Sequence, residues 1–143
     1  MNSKISEIYD LLQELAWHFG NRGFDGQCCE DLSFVEFMAL KKACDNNEAS
    51  IQEIGAALNF SKSGATRIID RLESKGYLVR QRSPVDGRIC CVSLTNEGIN
   101  TITRIMDRNA TDLSQALIEL EPGKIDQIQE TLQILVRAIQ RQD

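Results

Sequence analysis

Between residues 50 and 94 the hydrophobic period of the chain switches from helical to strand spacing, with tight punctuation on both sides of the switch. Ser50 and Glu53 have the spacing of a capping box, in which each side chain satisfies a free amide at a helix start. They predict a short helix over 50–57, with Ile51, Ile54 and Leu58 inward. "NFSKSG" makes a turn, and Ser61 can cap a second helix running to Lys75. Gly76 stands where a helix C-terminus favours glycine. "YLVRQRS" and "RICCVSL" then read as strands around "PVDG", which has hairpin chemistry. Helix, turn, helix and hairpin together describe a winged helix-turn-helix.

The flanks are helical. Ile5, Ile8, Leu11, Leu12, Leu15 and Phe19 share one face of a helix over 3–20. The glycine-rich 20–31, "GNRGFDGQCCED", breaks that pattern and reads as a loop. Ser33 and Glu36 form another capping pair and open a helix over 33–45. Phe34, Phe37, Met38 and Cys44 fall on one face of it, so Cys44 is expected in the core. After the hairpin, Thr95 or Asn96 starts a long helix to Leu120, and Pro122 fits the first turn of a last helix to Arg141. The expected fold class is mainly α with a small β-hairpin wing, with 33–95 as the winged helix-turn-helix and helical segments at 1–32 and 96–143. At 143 residues the chain is one domain's worth, and no internal repeat is present.

The net charge of −5 argues against a polyanion partner, but its distribution argues for one. Residues 61–88 hold seven basic and three acidic side chains, a segment of +4 on a remainder of −9. A basic stripe of this kind is a footprint for nucleic acid, or else a solvated helix face. The second helix of the motif can lie in the major groove with its first residues at base edges. With Ala65, Ile68, Ile69 and Leu72 inward, the DNA-facing candidates are Ser61, Lys62, Ser63, Gly64, Thr66, Arg67 and Arg71. Arg88, past the hairpin tip, is placed to reach a minor groove or the backbone, and Asp86 is placed to pair with it. No Ser/His/Asp set and no phosphate-binding glycine loop is present, so an enzyme is not expected. No apolar run is long enough to span a membrane, and "MNSKISEIYD" has no signal core, so a cytoplasmic location is expected.

Residues 51–98 resemble the DNA-binding core of the MarR family of bacterial transcription regulators. The matching features are Thr66-Arg67-x-x-Asp70-x-Leu72 in the second helix, Gly76-Tyr77-Leu78-Val79-Arg80 into the wing, Asp86-Gly87-Arg88 at its tip, and Ser93-Leu94-Thr95-x-x-Gly98 after it. The resemblance implies a homodimer whose first and last two helices form the dimerisation region, binding a pseudo-palindromic double-stranded operator as a repressor released by an effector. It places Trp17 and His18, the lone histidine, in that helical region as packing residues.

Two adjacent cysteine pairs, Cys28–Cys29 and Cys90–Cys91, need a separate account. In the cytosol thiols stay reduced and more often bind metal or react than form staples. Consecutive Cα atoms lie about 3.8 Å apart, whereas disulfides usually span about 4.4–6.8 Å, so a bridge within either pair would be strained. Cys28 and Cys29 sit in a glycine-rich loop where two thiolates can reach one soft ion. On a strand, one of Cys90 and Cys91 should face the core and the other outward. Zinc-sensing members of the resembled family use histidines on the long helix after the wing, and this chain has none there. The expected guest is therefore a small thiophilic one, trivalent arsenic first, then mercury or cadmium. An iron–sulfur cluster would need about four cysteines, hence both pairs. Cysteine oxidation by a small oxidant, and structural cysteines beside an organic effector, stay open as alternatives.

Overall fold

The computed structural model describes residues 2–22 and 29–142. Six helices and one hairpin follow in the order α1 (Ser3–Arg22), α2 (Phe34–Asp45), α3 (Ile51–Ala57), α4 (Lys62–Ser74), β1 (Leu78–Arg82), β2 (Cys90–Leu94), α5 (Asn96–Ala116) and α6 (Pro122–Gln140). The chain divides into two compact units, Met1–Met106 and Asp107–Asp143. Among the described residues no helix is long and apolar enough to cross a membrane.

In the first unit the core gathers Leu32, Leu40, Ile69, Leu72, Leu78 and Ile102 around the centre of the winged helix. The capping signals act as their chemistry requires. The Ser33 hydroxyl accepts from Glu36 N at 3.1 Å while Glu36 Oε1 accepts from Ser33 N at 2.8 Å. Ser50 Oγ accepts from Glu53 N at 2.9 Å and starts α3. Gly76, at φ +83, ends the turn after α4: its amide bonds Glu73 O, and the Tyr77 amide bonds Leu72 O. That crossed pair of bonds is the Schellman closure, which needs the left-handed conformation glycine adopts without strain.

β1 and β2 pair antiparallel, Leu78 opposite Leu94 and Arg82 opposite Cys90. Ser50 bridges Cys91, and Val92 N donates to Ala49 O at 3.0 Å, so the chain ahead of α3 holds the wing's second strand. The wing leads into α5 through a close junction. Thr95 N donates to Tyr77 O, Thr95 Oγ1 donates to Gly76 O at 2.6 Å, and Gly98 N donates to Thr95 Oγ1 at 3.0 Å.

Three expectations from sequence are corrected. Cys44 is exposed, because the buried side of α2 is Glu36, Phe37, Ala39, Leu40 and Ala43, and Cys44 follows one residue later in the last turn. α5 stops at Ala116 and not at Leu120. There the Ile118 and Leu120 amides bond three residues back, tightening the chain ahead of Pro122. α1 runs on to Arg22, into the loop expected at 20–31, and residues 23–28 of that expected loop lie outside the described residues. In the second unit α6 buries none of its residues, and Ile125, Leu132, Val136 and Ile139 are exposed.

A polar cluster ties the segment before α2 to the end of α4. Lys75 Nζ donates to Asp31 O at 2.6 Å and to Glu36 Oε1 at 3.3 Å, and Tyr77 OH donates to Asp31 Oδ1 at 2.7 Å. Burial, then the Asp31 carboxylate, push the Tyr77 phenol up to about 12. Burial pushes Glu36 up, but the Ser33 amide and Lys75 together outweigh it and hold the carboxyl below its ordinary 4.5. A depressed folded-state pKa stabilises above the unfolded value and loses that contribution as pH falls through the folded one. Glu36→Gln, which keeps the capping geometry, is therefore expected to destabilise at neutral pH and progressively less below about pH 4. Urea midpoints across that range check it, and an equal loss at both ends would contradict it.

Candidate nucleic-acid interface

α4 has a strongly divided surface. Ala65, Ile69 and Leu72 are buried and Ile68 is half-buried, so the helical period turns Lys62, Ser63, Thr66, Arg67, Asp70 and Arg71 outward. α3 and α4 cross closely, and a Cβ on Gly55 would stand 3.0 Å from Ala65 Cβ. The Ser61 hydroxyl accepts from Gly64 N at 3.0 Å and caps the helix start. A Cβ on Gly64 would stand 3.0 Å from that hydroxyl, so the cap itself gives a reason for glycine there. Ser61→Ala should cost about 1 kcal/mol of stability, the usual scale of a lost N-cap, and thermal unfolding measures it.

Several exposed polar groups on α4 are held against its own backbone. Thr66 Oγ1 donates to Lys62 O at 3.0 Å, and Arg67 Nε donates to Ser63 O at 3.4 Å. These bonds leave the rest of the Arg67 guanidinium outward. At the wing, Ser83 Oγ accepts from Val85 N and Asp86 N, shaping the turn. Arg88 Nε and Nη2 each donate to Asp86 carboxylate oxygens at 3.1 Å, the side-chain pairing expected from sequence. Arg88 stays 91% exposed, and the contact holds Asp86 below the usual carboxylate range.

The start of α4 separates two grooves. One, of 540 Å³, brings Ser61, Lys62 and Thr66 together with Arg88, with Gln52 of α3 in its wall. The other, of 400 Å³, brings Ser61 and Gly64 together with Arg67 and Arg71. Eight of the nine expected contact positions thus lie in a groove or at the wing tip, and Ser63 stands exposed beside them. A helix start with cations on both flanks and a cationic wing beside it can take the phosphates and base edges of a duplex.

Sequence reading counted two charges, Arg80 and Lys75, that the structure finds committed to neighbours, and Arg104, outside that count, is committed as well. Arg80 pairs with Asp70 and with Glu73, the latter at 2.7 Å. Lys75 is tied to Glu36 and Asp31. Arg104 of α5 grips Glu30 through two bonds of 2.6 and 2.8 Å. The charge count alone carried no signal for these pairs, because the partners are remote in sequence or depend on a strand's position.

The cysteines separate. Cys28 lies outside the described residues. Cys29 is fully buried and disulfide-bonded. The expectation of reduced thiols does not hold at Cys29, whose sulfur is bridged. Cys91 faces inward at 5% exposure and Cys90 faces outward into the larger groove, as strand alternation requires. Among the described residues no group of three or more His, Cys, Asp or Glu side chains stands ready for a metal ion.

Comparison with known proteins places this geometry. Residues 32–90 match the MarR family model. The chain is 31% identical over 94 residues to the Uncharacterized HTH-type transcriptional regulator YkoM of Bacillus subtilis (strain 168), covering 66% of this chain but only 61% of that protein. It is 29% identical over 123 residues to the Transcriptional repressor MprA of Escherichia coli (strain K12), covering 86% of this chain and 69% of MprA. In fold it is similar to Streptococcus pneumoniae FabT in complex with DNA, at a TM-score of 0.78 and 20% identity over 99% of each chain.

Proposed function

We propose, on the match of residues 32–90 to the MarR family model, that the chain is a MarR-type homodimeric transcriptional repressor that binds a pseudo-palindromic double-stranded DNA operator. The observation that carries this reading is the cationic start of α4 set between two grooves, with Arg88 of the wing in one of them. Ser61, Lys62, Ser63, Gly64, Thr66, Arg67 and Arg71 meet the major groove, and the Asp86–Arg88 pair meets the flanking backbone or minor groove. Residues 33–95 form the DNA-binding part. Residues 1–32 and 96–143 form the dimerisation region, a role that accounts for the exposed apolar stripes of α1 (Ile5, Ile8, Leu11, Leu15) and α6. The repressor sense follows the family and the repressor MprA among the relatives.

The test starts with a random pool of DNA duplexes. The full-length protein should select an inverted repeat and bind it with a steep salt dependence. Binding that shows no salt dependence, or no selection, would sink the reading. On the selected duplex, Arg67→Ala should weaken binding and relax sequence preference, whereas Arg88→Ala should weaken binding evenly across sequences. Equal affinity of both variants and wild type refutes the assignment.

Control of the operator complex runs through cysteines in this reading. A thiophilic ion such as trivalent arsenic, mercury or cadmium on Cys28 and Cys29 is one form of it, with Cys90 and Cys91 as further candidates. The other form is oxidation, in which peroxide takes two electrons and two protons from a thiol pair, leaving a disulfide and water. Titrating arsenite, mercury, cadmium, zinc and peroxide against the complex, with reduced wild type and with Cys28→Ser/Cys29→Ser, separates them. Release by one agent, abolished in the double variant, identifies the signal. No release by any of them assigns the cysteines to packing and the effector to organic chemistry.

A further inference from the structure

Two of the segments that carry the family resemblance hold charges that meet. Asp70 lies in the Thr66-Arg67-x-x-Asp70-x-Leu72 run on α4, and Arg80 closes the Gly76-Tyr77-Leu78-Val79-Arg80 run that leads into β1. The Arg80 guanidinium donates through Nη2 to Asp70 Oδ1 and through Nη1 to Glu73 Oε1 at 2.7 Å. Its backbone amide donates to Glu73 Oε2 at 3.0 Å. The outward side of the recognition helix and the first strand of the wing are thereby joined by three charge-assisted bonds, which are stronger and more directional than neutral ones.

We propose that Arg80, Asp70 and Glu73 form a brace that fixes the wing against the recognition helix, so that Arg80 acts on DNA affinity as a positioning residue and not as a phosphate contact. The inference rests on the DNA-binding reading, because a duplex is what must meet helix and wing at once. Three observations support it. Arg80 is only 26% exposed, against 91% for Arg88, so its charge is turned into the protein. Its two carboxylate partners stand on the helix that would approach phosphates, where unpaired they would repel them. A two-stranded ribbon has little rigidity of its own, and Arg80 sits midway along β1, where one side chain restrains the whole strand. The charge accounting changes with it. Of the seven cations in 61–88, Arg80 and Lys75 are turned into the protein by their partners, so the exposed Lys62, Arg67, Arg71, Arg82 and Arg88, the last of them beside Asp86, carry the salt dependence.

The test uses the duplex selected by wild type and measures Kd against salt for the full chain. Arg80→Gln is expected to bind roughly five-fold more weakly, the scale of two partly exposed ion pairs, with the wild-type salt slope. The variant Asp70→Asn/Glu73→Gln removes two negative charges, so electrostatics alone would tighten its binding. The brace predicts weaker binding instead, with circular dichroism unchanged. A slope that falls by about 0.9, one phosphate's worth, in Arg80→Gln would make Arg80 a contact and overturn the proposal. Wild-type or tighter binding by the carboxylate variant would overturn it as well. Failure of wild type to select any duplex would instead remove the DNA-binding reading beneath it.

Discussion

Gly98→Ala is expected to destabilise the protein by about 3 kcal/mol or more, the upper range of overpacking costs. A Cβ at Gly98 would stand 1.9 Å from Tyr77 O and 2.9 Å from its carbonyl carbon. Both obstacles are backbone, so no rotamer change relieves them. The same carbonyl accepts from Thr95 N, and Thr95 Oγ1 serves both Gly76 O and Gly98 N. Moving Tyr77 away therefore breaks the start of α5 and the turn after α4 together. Tyr77, Leu78 and Ile102 on either side are core residues, so the strain enters the centre of the first unit. Gly123→Ala is the control. Nothing lies within 4 Å of a Cβ at Gly123 in the first turn of α6, and alanine there should stabilise by about 0.5 kcal/mol through helix propensity. Thermal and urea unfolding of the two variants should move in opposite directions. A Gly98→Ala protein as stable as wild type would mean that the junction is looser than its hydrogen bonds describe.

That junction also shows how far the sequence could be read. Thr95 and Gly98 stood out as part of a recurring pattern, and the structure supplies the cause: a cap and a close backbone approach. Helix starts were legible because their signals are local. Ser33, Ser50 and Ser61 each find the amide three residues on, and Gly76 takes the positive φ its place demands. The outward face of α4 was legible for a similar reason, since the helical period alone sorts Lys62, Arg67 and Arg71 from Ile69 and Leu72. What failed to show was tertiary. The exposure of Cys44 depends on which way α2 is rotated against its neighbours. The engagement of Arg80 and Lys75 depends on partners brought together by the fold, so a count of basic residues overstated the charge free to meet DNA. Cys29 is the third case, because its burial beside Leu32 in the core is set by packing that the glycine-rich loop did not advertise.

Replacing Lys62, Arg67 and Arg71 together by glutamine should lower affinity for the selected duplex on the order of a thousand-fold, at about 1–3 kcal/mol per specific contact. The salt slope should fall by nearly three for each protomer engaged, at about 0.9 per phosphate contact. The three side chains lie on the outward face of α4, and their surroundings are the two grooves and not the core. Stability should then change little, since exposed substitutions usually stay within about 0.5 kcal/mol. That separation gives the prediction its force. A variant that folds as wild type does and loses both affinity and salt slope places the duplex on this face. If affinity falls while the slope holds, the three residues act on bases or on the shape of α4, and phosphate contact shifts to Arg82 and Arg88 on the wing. If neither falls, the basic stripe is a solvated surface, and the interface lies elsewhere on the molecule.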